Sequence, residues 1–193
     1  MSKECALILG VSSGIGAACA KELASKGLDI VGLYMRKPKD SIDKLSDDIR
    51  SFGVECSMIK MNACNYEKMD EILSGKDFSN YKIQVLVHSL AFGSMRPFIA
   101  KNDNSINKKN IEMTLDVMSN SLIYWTQSLY EKNLFSNGSQ IIAMTSAGGR
   151  KQWLSYGAIS MAKAALESGC RQLAVELASS NIAVNAIQAG VTD

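Results

Sequence analysis

A glycine-rich turn between a short apolar run and a helical pattern is the feature that most limits how this chain folds. The apolar run covers residues 5–9, the helical pattern covers residues 17–26, and the turn between them reads Gly10-Val11-Ser12-Ser13-Gly14-Ile15-Gly16. Glycines let a backbone approach a pyrophosphate closely, and a helix N-terminus offers free N–H groups with a partial positive charge. We therefore predict a dinucleotide phosphate site formed by Gly10, Ser12, Ser13, Gly14, Ile15 and Gly16. The alternative is a turn that serves only the fold.

Apolar runs and amphipathic segments alternate along the rest of the chain. Their patterns predict strands at 29–34, 54–61, 83–88, 140–144 and 181–187, and helices at 41–52, 66–73, 111–132 and 153–178. No Pro- or Gly-rich linker and no internal repeat interrupts this alternation, although residues 94–107 are polar and irregular. We predict an α/β protein, a Rossmann-type doubly wound parallel sheet in three layers, formed by a single domain over residues 1–193.

A tyrosine and a lysine lie seven residues apart in the second long helical pattern, at Tyr156 and Lys163. Seven residues are two helical turns, so both side chains leave the same face. A nearby ammonium lowers the pKa of a phenol from its usual value of about 10. Such a pair stabilises or protonates an oxyanion, so we predict both residues to be catalytic. The alternative is an ordinary amphipathic helix.

Composition excludes several classes of protein. The chain has 193 residues, 47% of them hydrophobic, which suffices for one domain with a core. A net charge of +2 is too small for nucleic acid or an anionic membrane to be the main partner. No apolar run approaches the roughly 20 residues of a membrane span. Residues 1–4 lead straight into a strand without a basic segment, so we expect no signal peptide.

Cysteine and histidine usage narrows the chemistry further. The five cysteines are odd in number and form no Cys-x-x-Cys pair, so we expect reduced thiols in a cytoplasmic protein and no metal site; they are Cys5, Cys19, Cys56, Cys64 and Cys170. His88 is the only histidine, and no nucleophile-elbow motif accompanies it. A Ser-His-Asp hydrolase is therefore not indicated. We interpret His88 as a buried, hydrogen-bonded residue at a strand end.

Two cations follow the second strand, where a dinucleotide fold that prefers NAD usually places an acid for the ribose 2′-hydroxyl. The sequence there is Met35-Arg36-Lys37-Pro38, and no acid occurs before Asp40. Arg36 and Lys37 are suited to a 2′-phosphate, so we predict NADPH as cofactor, with NADH as the alternative. Asn62 and Ala63 end the third strand, where adenine is commonly contacted. A solvated pair of charges in a loop is the other interpretation of the two cations.

The combination Gly10-x3-Gly14-x-Gly16 with Tyr156-x6-Lys163 resembles the short-chain dehydrogenase/reductase family over the whole length of the chain. The resemblance implies that Tyr156 meets the substrate oxygen. It implies that Lys163 holds the nicotinamide ribose and lowers the pKa of Tyr156. Further cofactor contacts are implied for the residues that follow the fourth and last strands, namely Ser89, Leu90, Ala91, Ala189, Gly190 and Thr192.

Departures from the common pattern of that family indicate a branch. His88-Ser89-Leu90-Ala91-Phe92 and Gln188-Ala189-Gly190 resemble the corresponding stretches of bacterial enoyl-acyl-carrier-protein reductases. By alignment, Met118 stands where the catalytic helix Asn is usual. The position thirteen residues before Tyr156, where ketoreductases carry a Ser, is Ala143, whereas Thr145 and Ser146 lie at the shorter spacing of enoyl reductases.

Other differences point to one type of enoyl reductase. The best-known members have a longer glycine loop, a second Tyr at the position of Ser146 and a Met at that of Ile159. An NADPH-using type with a compact glycine loop and a Ser at that position is the nearest match, and Arg96-Pro97 and the segment 171–177 resemble it too.

The resemblance implies reduction of a trans-2-enoyl thioester in fatty acid synthesis, with the acyl group carried by acyl carrier protein or coenzyme A. Tyr156 would donate a hydrogen bond to the enolate oxygen, and Ser146 would line the pocket or add a weaker hydrogen bond; a Ser that only satisfies backbone groups is the alternative. Two rival functions are a 3-ketoacyl or other carbonyl reductase and a nucleotide-binding protein without turnover. Retention of Tyr156 and Lys163 counts against the second.

The resemblance also sets expectations for size and assembly. Family members are longer, so we expect the last strand and the substrate-covering segment to be absent from this sequence. We expect a homotetramer from the resemblance and because the two helices predicted at 111–132 and 153–178 carry more apolar residues than one sheet face needs. On the first helix these residues are Leu122, Ile123, Tyr124, Trp125 and Leu129.

Overall fold

Six parallel strands form one sheet with helices on both faces in the computed structural model, which describes residues 3–75, 78, 80–101 and 104–190. The strands are β1 (Lys3–Leu9), β2 (Asp29–Tyr34), β3 (Cys56–Lys60), β4 (Tyr81–His88), β5 (Phe135–Ser146) and β6 (Ala183–Ala189). The helices are α1 (Gly14–Ser25), α2 (Lys39–Arg50), α3 (Tyr66–Ser74), α4 (Lys108–Leu115), α5 (Ser121–Glu131) and α6 (Gly157–Leu177). The strand order β3-β2-β1-β4-β5-β6 confirms the predicted Rossmann-type doubly wound sheet.

The central strand β1 shows why both faces of the sheet are covered. Its residues Cys5, Leu7 and Leu9 enter one apolar cluster with α3, α5 and α6, while Ala6 and Ile8 enter a second cluster with α1 and α2. All five side chains are fully buried. Successive strand residues point to opposite faces, so a continuous apolar run is what a strand buried on both sides requires.

The helix predicted over 111–132 is interrupted. It consists of α4, a π-helical turn from Asp116 to Asn120, and α5. The Ser121 hydroxyl donates to the Val117 carbonyl at 2.9 Å just after this turn. A π-turn keeps the chain helical, and this one contains no Gly or Pro, so the sequence predicted one continuous helix across it.

Three of the five apolar residues cited for assembly are core residues instead. Leu122, Trp125 and Leu129 are fully buried against the sheet, and the Trp125 indole donates to the Ala63 carbonyl at 2.9 Å. Tyr124 remains exposed. The apolar excess expected from the sequence was therefore overestimated, because these three side chains of α5 belong to the core cluster.

The C-terminal half also differs at element ends. Strand β5 begins five residues earlier than predicted, because Phe135 pairs with Ile83 despite the polar residues and Gly138 that follow it. Helix α6 begins at Gly157, so Tyr156 is its N-cap residue and not an interior one. None of the helices in the described ranges is long and apolar enough to cross a bilayer.

Candidate active site

A cavity of about 770 Å³ lies at the carboxyl ends of the strands, around the point where the strand order reverses between β1 and β4. It is lined by all but two of the predicted site residues: Gly10, Ser12, Ser13, Gly14, Ile15, Arg36, Lys37, Asn62, Ala63, Ser89, Leu90, Ala91, Ser146, Tyr156, Lys163, Ala189 and Gly190. Gly16 does not line it, and Thr192 lies outside the described residues. Residues from both ends of the chain therefore share one cavity.

The glycine turn is too tight for side chains at two of its positions. A Cβ at Gly16 would overlap the Gly10 carbonyl oxygen, and one at Gly10, where φ is +92°, would lie 2.6 Å from the Ser89 carbonyl oxygen. Gly14 opens α1 with φ +55° and has open space around it. Gly16 thus contributes by letting the turn close, although it does not face the cavity.

The start of α1 is available to an anion. Its N-cap residue Ser13 makes no side-chain capping hydrogen bond, and no acidic residue lies in the first turn. The N–H groups of the first turn therefore remain for a ligand in front of them. This arrangement fits the pyrophosphate of a dinucleotide.

Lys163 lies beneath the cavity, almost fully buried. Its Nζ donates to the Met144 carbonyl at 2.6 Å, and burial lowers its pKa to about 8. An ammonium has three N–H donors, so two remain for other partners. The buried lysine is therefore fixed by the sheet while it still faces the cavity.

Tyr156 and Ser146 flank Gly148 on the connection between β5 and α6. A Cβ at Gly148 would lie 2.5 Å from Cε1 of Tyr156 and 3.2 Å from Oγ of Ser146. The Gly148 N–H donates to Ser146 Oγ at 3.2 Å, and Trp153 packs edge-on against the Tyr156 ring at 5.5 Å between centroids. Ser146 thus satisfies a backbone group and also lines the cavity.

Glu167 is a buried acid that no motif in the sequence marks. It lies one turn after Lys163 on α6, accepts from the Thr145 hydroxyl at 2.8 Å and pairs with Arg150 Nε at 3.5 Å. A Cβ at Gly149 would lie 2.8 Å from one of its carboxylate oxygens. Glu167 therefore ties the β5–α6 connection, which carries Ser146, to the helix that carries Lys163.

His88 ends β4 and is fully buried. Its Nε2 lies 2.8 Å from the Ser121 hydroxyl. Burial, and secondarily the charge of Lys163, lowers the pKa of His88 to about 3, so the ring is neutral at physiological pH. The structure agrees with the interpretation of His88 as a buried, hydrogen-bonded strand-end residue.

Met118, which was placed by alignment, does line the cavity, because the π-turn presents it beside Val117. Ala143 does not. It is buried within β5, where it pairs with His88 and Ala186. The residue thirteen positions before Tyr156 therefore lies inside the sheet in this chain. Thr145 and Ser146, at the end of the strand, reach the cavity instead.

A family model described as enoyl-(acyl carrier protein) reductase matches residues 10–193. The chain belongs to this family of short-chain dehydrogenases/reductases. Membership of this family confirms the resemblance seen in the sequence and makes the protein an NAD(P)H-dependent reductase.

Individual relatives agree on the family but differ in cofactor. The chain is 29% identical over 187 residues to the NADH-type enoyl-[acyl-carrier-protein] reductase of Enterococcus faecalis, covering 95% of this chain and 71% of that protein. It is 27% identical over 192 residues to the NADPH-type enzyme of Staphylococcus aureus, with the same coverage of 95% and 71%. Both relatives use a nicotinamide cofactor, but one uses NADH and the other NADPH.

Solved structures agree on the fold. A dehydrogenase/reductase from Sinorhizobium meliloti superposes with a TM-score of 0.87 at 22% identity, covering all of this chain and 74% of that one. Among the described residues, no group of three or more His, Cys, Asp or Glu is arranged to hold a metal ion.

Proposed function

We propose that the protein reduces the carbon–carbon double bond of a trans-2-enoyl thioester with NADPH, on an acyl group carried by acyl carrier protein or coenzyme A, in fatty acid synthesis. The observation that carries this proposal is Met118 at the cavity wall, on the helix where carbonyl-reducing relatives use an Asn. A thioether does not relay protons as an amide and its bound water do. The family match and the enoyl reductases among the relatives support the same reaction.

The residues around the cavity suit the cofactor. When it is bound, the nicotinamide supplies the hydride that goes to the β-carbon of the substrate. The glycine turn and the start of α1 would hold the pyrophosphate, and the two remaining donors of Lys163 would hold the nicotinamide ribose.

Tyr156 would donate its O–H to the thioester oxygen, where negative charge appears as an enolate. This hydrogen bond strengthens only as the charge develops, so it lowers the barrier and not merely the energy of the bound substrate. Ser146 accepts from Gly148 N–H, which leaves its own hydroxyl hydrogen for the same oxygen. Lys163 would keep Tyr156 a good donor through its positive charge.

The two cations after β2 support the preference for NADPH. Arg36 and Lys37 both line the cavity, and no carboxylate of the described residues lies within 4.0 Å of either. An unpaired guanidinium binds a phosphate bidentately. Arg36→Ala should therefore raise the Michaelis constant for NADPH far more than that for NADH, and equal effects would contradict the preference.

One observation favours a second candidate, the reduction of a 3-ketoacyl or other carbonyl compound. Ser146 places a hydroxyl in the cavity near Tyr156, and ketone reduction requires such a second hydrogen-bond donor. An alkoxide needs protonation at once, whereas an enolate needs one strong donor and takes its α-carbon proton afterwards. Met118 on the other wall favours the enoyl reaction.

The two reactions are separated by following NADPH consumption with crotonyl and acetoacetyl thioesters side by side. We expect faster turnover of the crotonyl compound. Faster turnover of the acetoacetyl compound would replace the proposal with the ketoreductase.

We further propose a cytoplasmic homotetramer. All five cysteines are unpaired thiols, which suits a reducing compartment. Exposed apolar residues on α5 and α6 leave an uncovered surface that a second copy would bury.

A further inference from the structure

Arg36 and Phe92 meet across the mouth of the cavity. The guanidinium carbon of Arg36 lies over the Phe92 ring, 3.8 Å from its centroid, and both residues line the cavity. Arg36 follows β2 and Phe92 follows β4, and these strands flank β1. The contact therefore spans the end of β1, where the glycine turn begins.

The stacked geometry leaves the arginine able to bind an anion. An aromatic ring under a guanidinium contacts only the flat face of the cation, and the five N–H donors point outward in its plane. Those donors match the oxygens of a phosphate. Because no carboxylate in the described chain lies within 4.0 Å of Arg36, its charge is not already neutralised.

The segment under the ring is anchored. The Ser94 N–H donates to the Thr114 hydroxyl at 3.1 Å, and a Cβ at Gly93 would lie 2.7 Å from the Thr114 methyl carbon and 3.0 Å from Ile159. A free surface arginine loses rotamer entropy when a ligand fixes it. An arginine already held against an anchored ring loses less, so its contribution to ligand binding is larger.

We propose that Phe92 determines cofactor specificity by holding the Arg36 guanidinium in place for the 2′-phosphate of the adenosine moiety. Phe92 is a positioning residue: it acts through Arg36 and makes no contact of its own with the phosphate. The inference rests on the proposed preference for NADPH. Lys37 lines the same part of the cavity without an aromatic ring beneath it in the described structure, so it provides charge without this orientation.

The test uses two adenosine nucleotides that carry no nicotinamide. Isothermal titration calorimetry measures the dissociation constants of 2′,5′-ADP and 5′-AMP for the wild-type protein and the variants Phe92→Leu, Phe92→Tyr, Phe98→Leu and Arg36→Ala. Phe92→Leu keeps an apolar side chain but removes the π face. It should weaken 2′,5′-ADP about two- to ten-fold, the effect of having to order one long side chain on binding, and leave 5′-AMP unchanged.

The controls use the same segment. Phe98 is also half-exposed, but its ring packs against Gly157 and not against Arg36, so Phe98→Leu should change neither constant. Phe92→Tyr keeps the π face and should bind both nucleotides like the wild type. Thermal melting of every variant shows that the fold is retained.

The outcomes separate this inference from the proposed function. If Arg36→Ala weakens both nucleotides equally, the preference for NADPH fails. If Arg36→Ala is selective but Phe92→Leu binds 2′,5′-ADP as tightly as the wild type or more tightly, the preference stands and the role of Phe92 is overturned. In the Arg36→Ala background, Phe92→Leu should not change the dissociation constant of 2′,5′-ADP further. A further loss of affinity there would also overturn the role of Phe92.

Discussion

Lys163 carries a charge that its surroundings disfavour. Burial lowers its pKa from 10.5 to about 8. A base whose pKa is lower in the folded state destabilises the fold while it is charged. Its cost is thus present below about pH 8 and disappears as pH rises from about 8 to 10.5.

We therefore predict that activity and the stability contribution of Lys163 move in opposite directions with pH. As pH rises through about 8, the ammonium loses its proton, so kcat/KM should fall. The free energy of unfolding, relative to a Lys163→Met variant, should rise over the same range. Urea unfolding and initial rates at matched pH values measure the two quantities. A kcat/KM that stays level to pH 10 would contradict the assignment.

Tyr156 provides the sharper test of the oxyanion role. Tyr156→Phe should lower turnover on the order of 10²–10³-fold, the usual scale for loss of one oxyanion donor, with little change in cofactor binding. Lys163→Ala should reduce both turnover and cofactor affinity, because it serves ribose and phenol alike. Steady-state kinetics and NADPH fluorescence titration separate the two effects. Full activity in Tyr156→Phe would show that another group carries the role.

At the scale of elements, the glycine turn was predictable and the ends of the helices were not. The strand, the turn and the helix are neighbours in the sequence, so a short stretch of chain predicts all three. Gly10 and Gly14 adopt a positive φ, a conformation for which a turn commonly uses glycine. The start of α6 depends on Ser155, which adopts φ +63° although it is not a glycine, and nothing in its sequence marks this. The π-turn that presents Met118 contains no Gly or Pro, so nothing in the sequence marks it either.

Gly16→Ala tests how tightly the turn must close. The added Cβ would overlap the Gly10 carbonyl oxygen, which is backbone and does not rotate away, so the turn must open. We expect a loss of about 1–3 kcal/mol in the free energy of unfolding and weaker NADPH binding. Urea titration and fluorescence binding measure the two losses.

Gly169→Ala is the matched control. It lies within α6, and its Cβ would meet the flexible side chain of Ile123, whose terminal methyl would lie 3.0 Å away. Alanine is a better helix former than glycine, so stability should be kept or improved. If Gly16→Ala behaves like this control, close approach at the turn is not required.

At the scale of the whole molecule, sequence alone located the cavity but not the contacts that shape it. Parallel strands end at one edge, so residues that follow β1, β2, β4 and β6 had to meet there. The contact of Arg36 with Phe92 and that of Glu167 with Thr145 join residues far apart in the chain. No local pattern encodes such pairs, because they form between side chains that reach from one element to another.

The proposed homotetramer is the prediction that belongs to this scale. Because Leu122, Trp125 and Leu129 are used in the core, the surface available for assembly consists of Tyr124 and Tyr130 on α5 and Met161 and Val175 on α6. Val175 is 75% exposed, so a substitution at this position acts on the surface of α6 and not on the core. Light scattering at micromolar concentration should give the mass of a tetramer.

Val175→Glu should dissociate the assembly, because burying an unpaired carboxylate at an interface is strongly unfavourable. Ile99→Glu is the control, since Ile99 is 90% exposed but lies in the segment after β4, on neither α5 nor α6. It should leave the mass unchanged. A wild-type protein that is monomeric would refute the tetramer. A Val175→Glu variant that keeps the mass of the wild-type protein would show that the contact does not run through this part of α6.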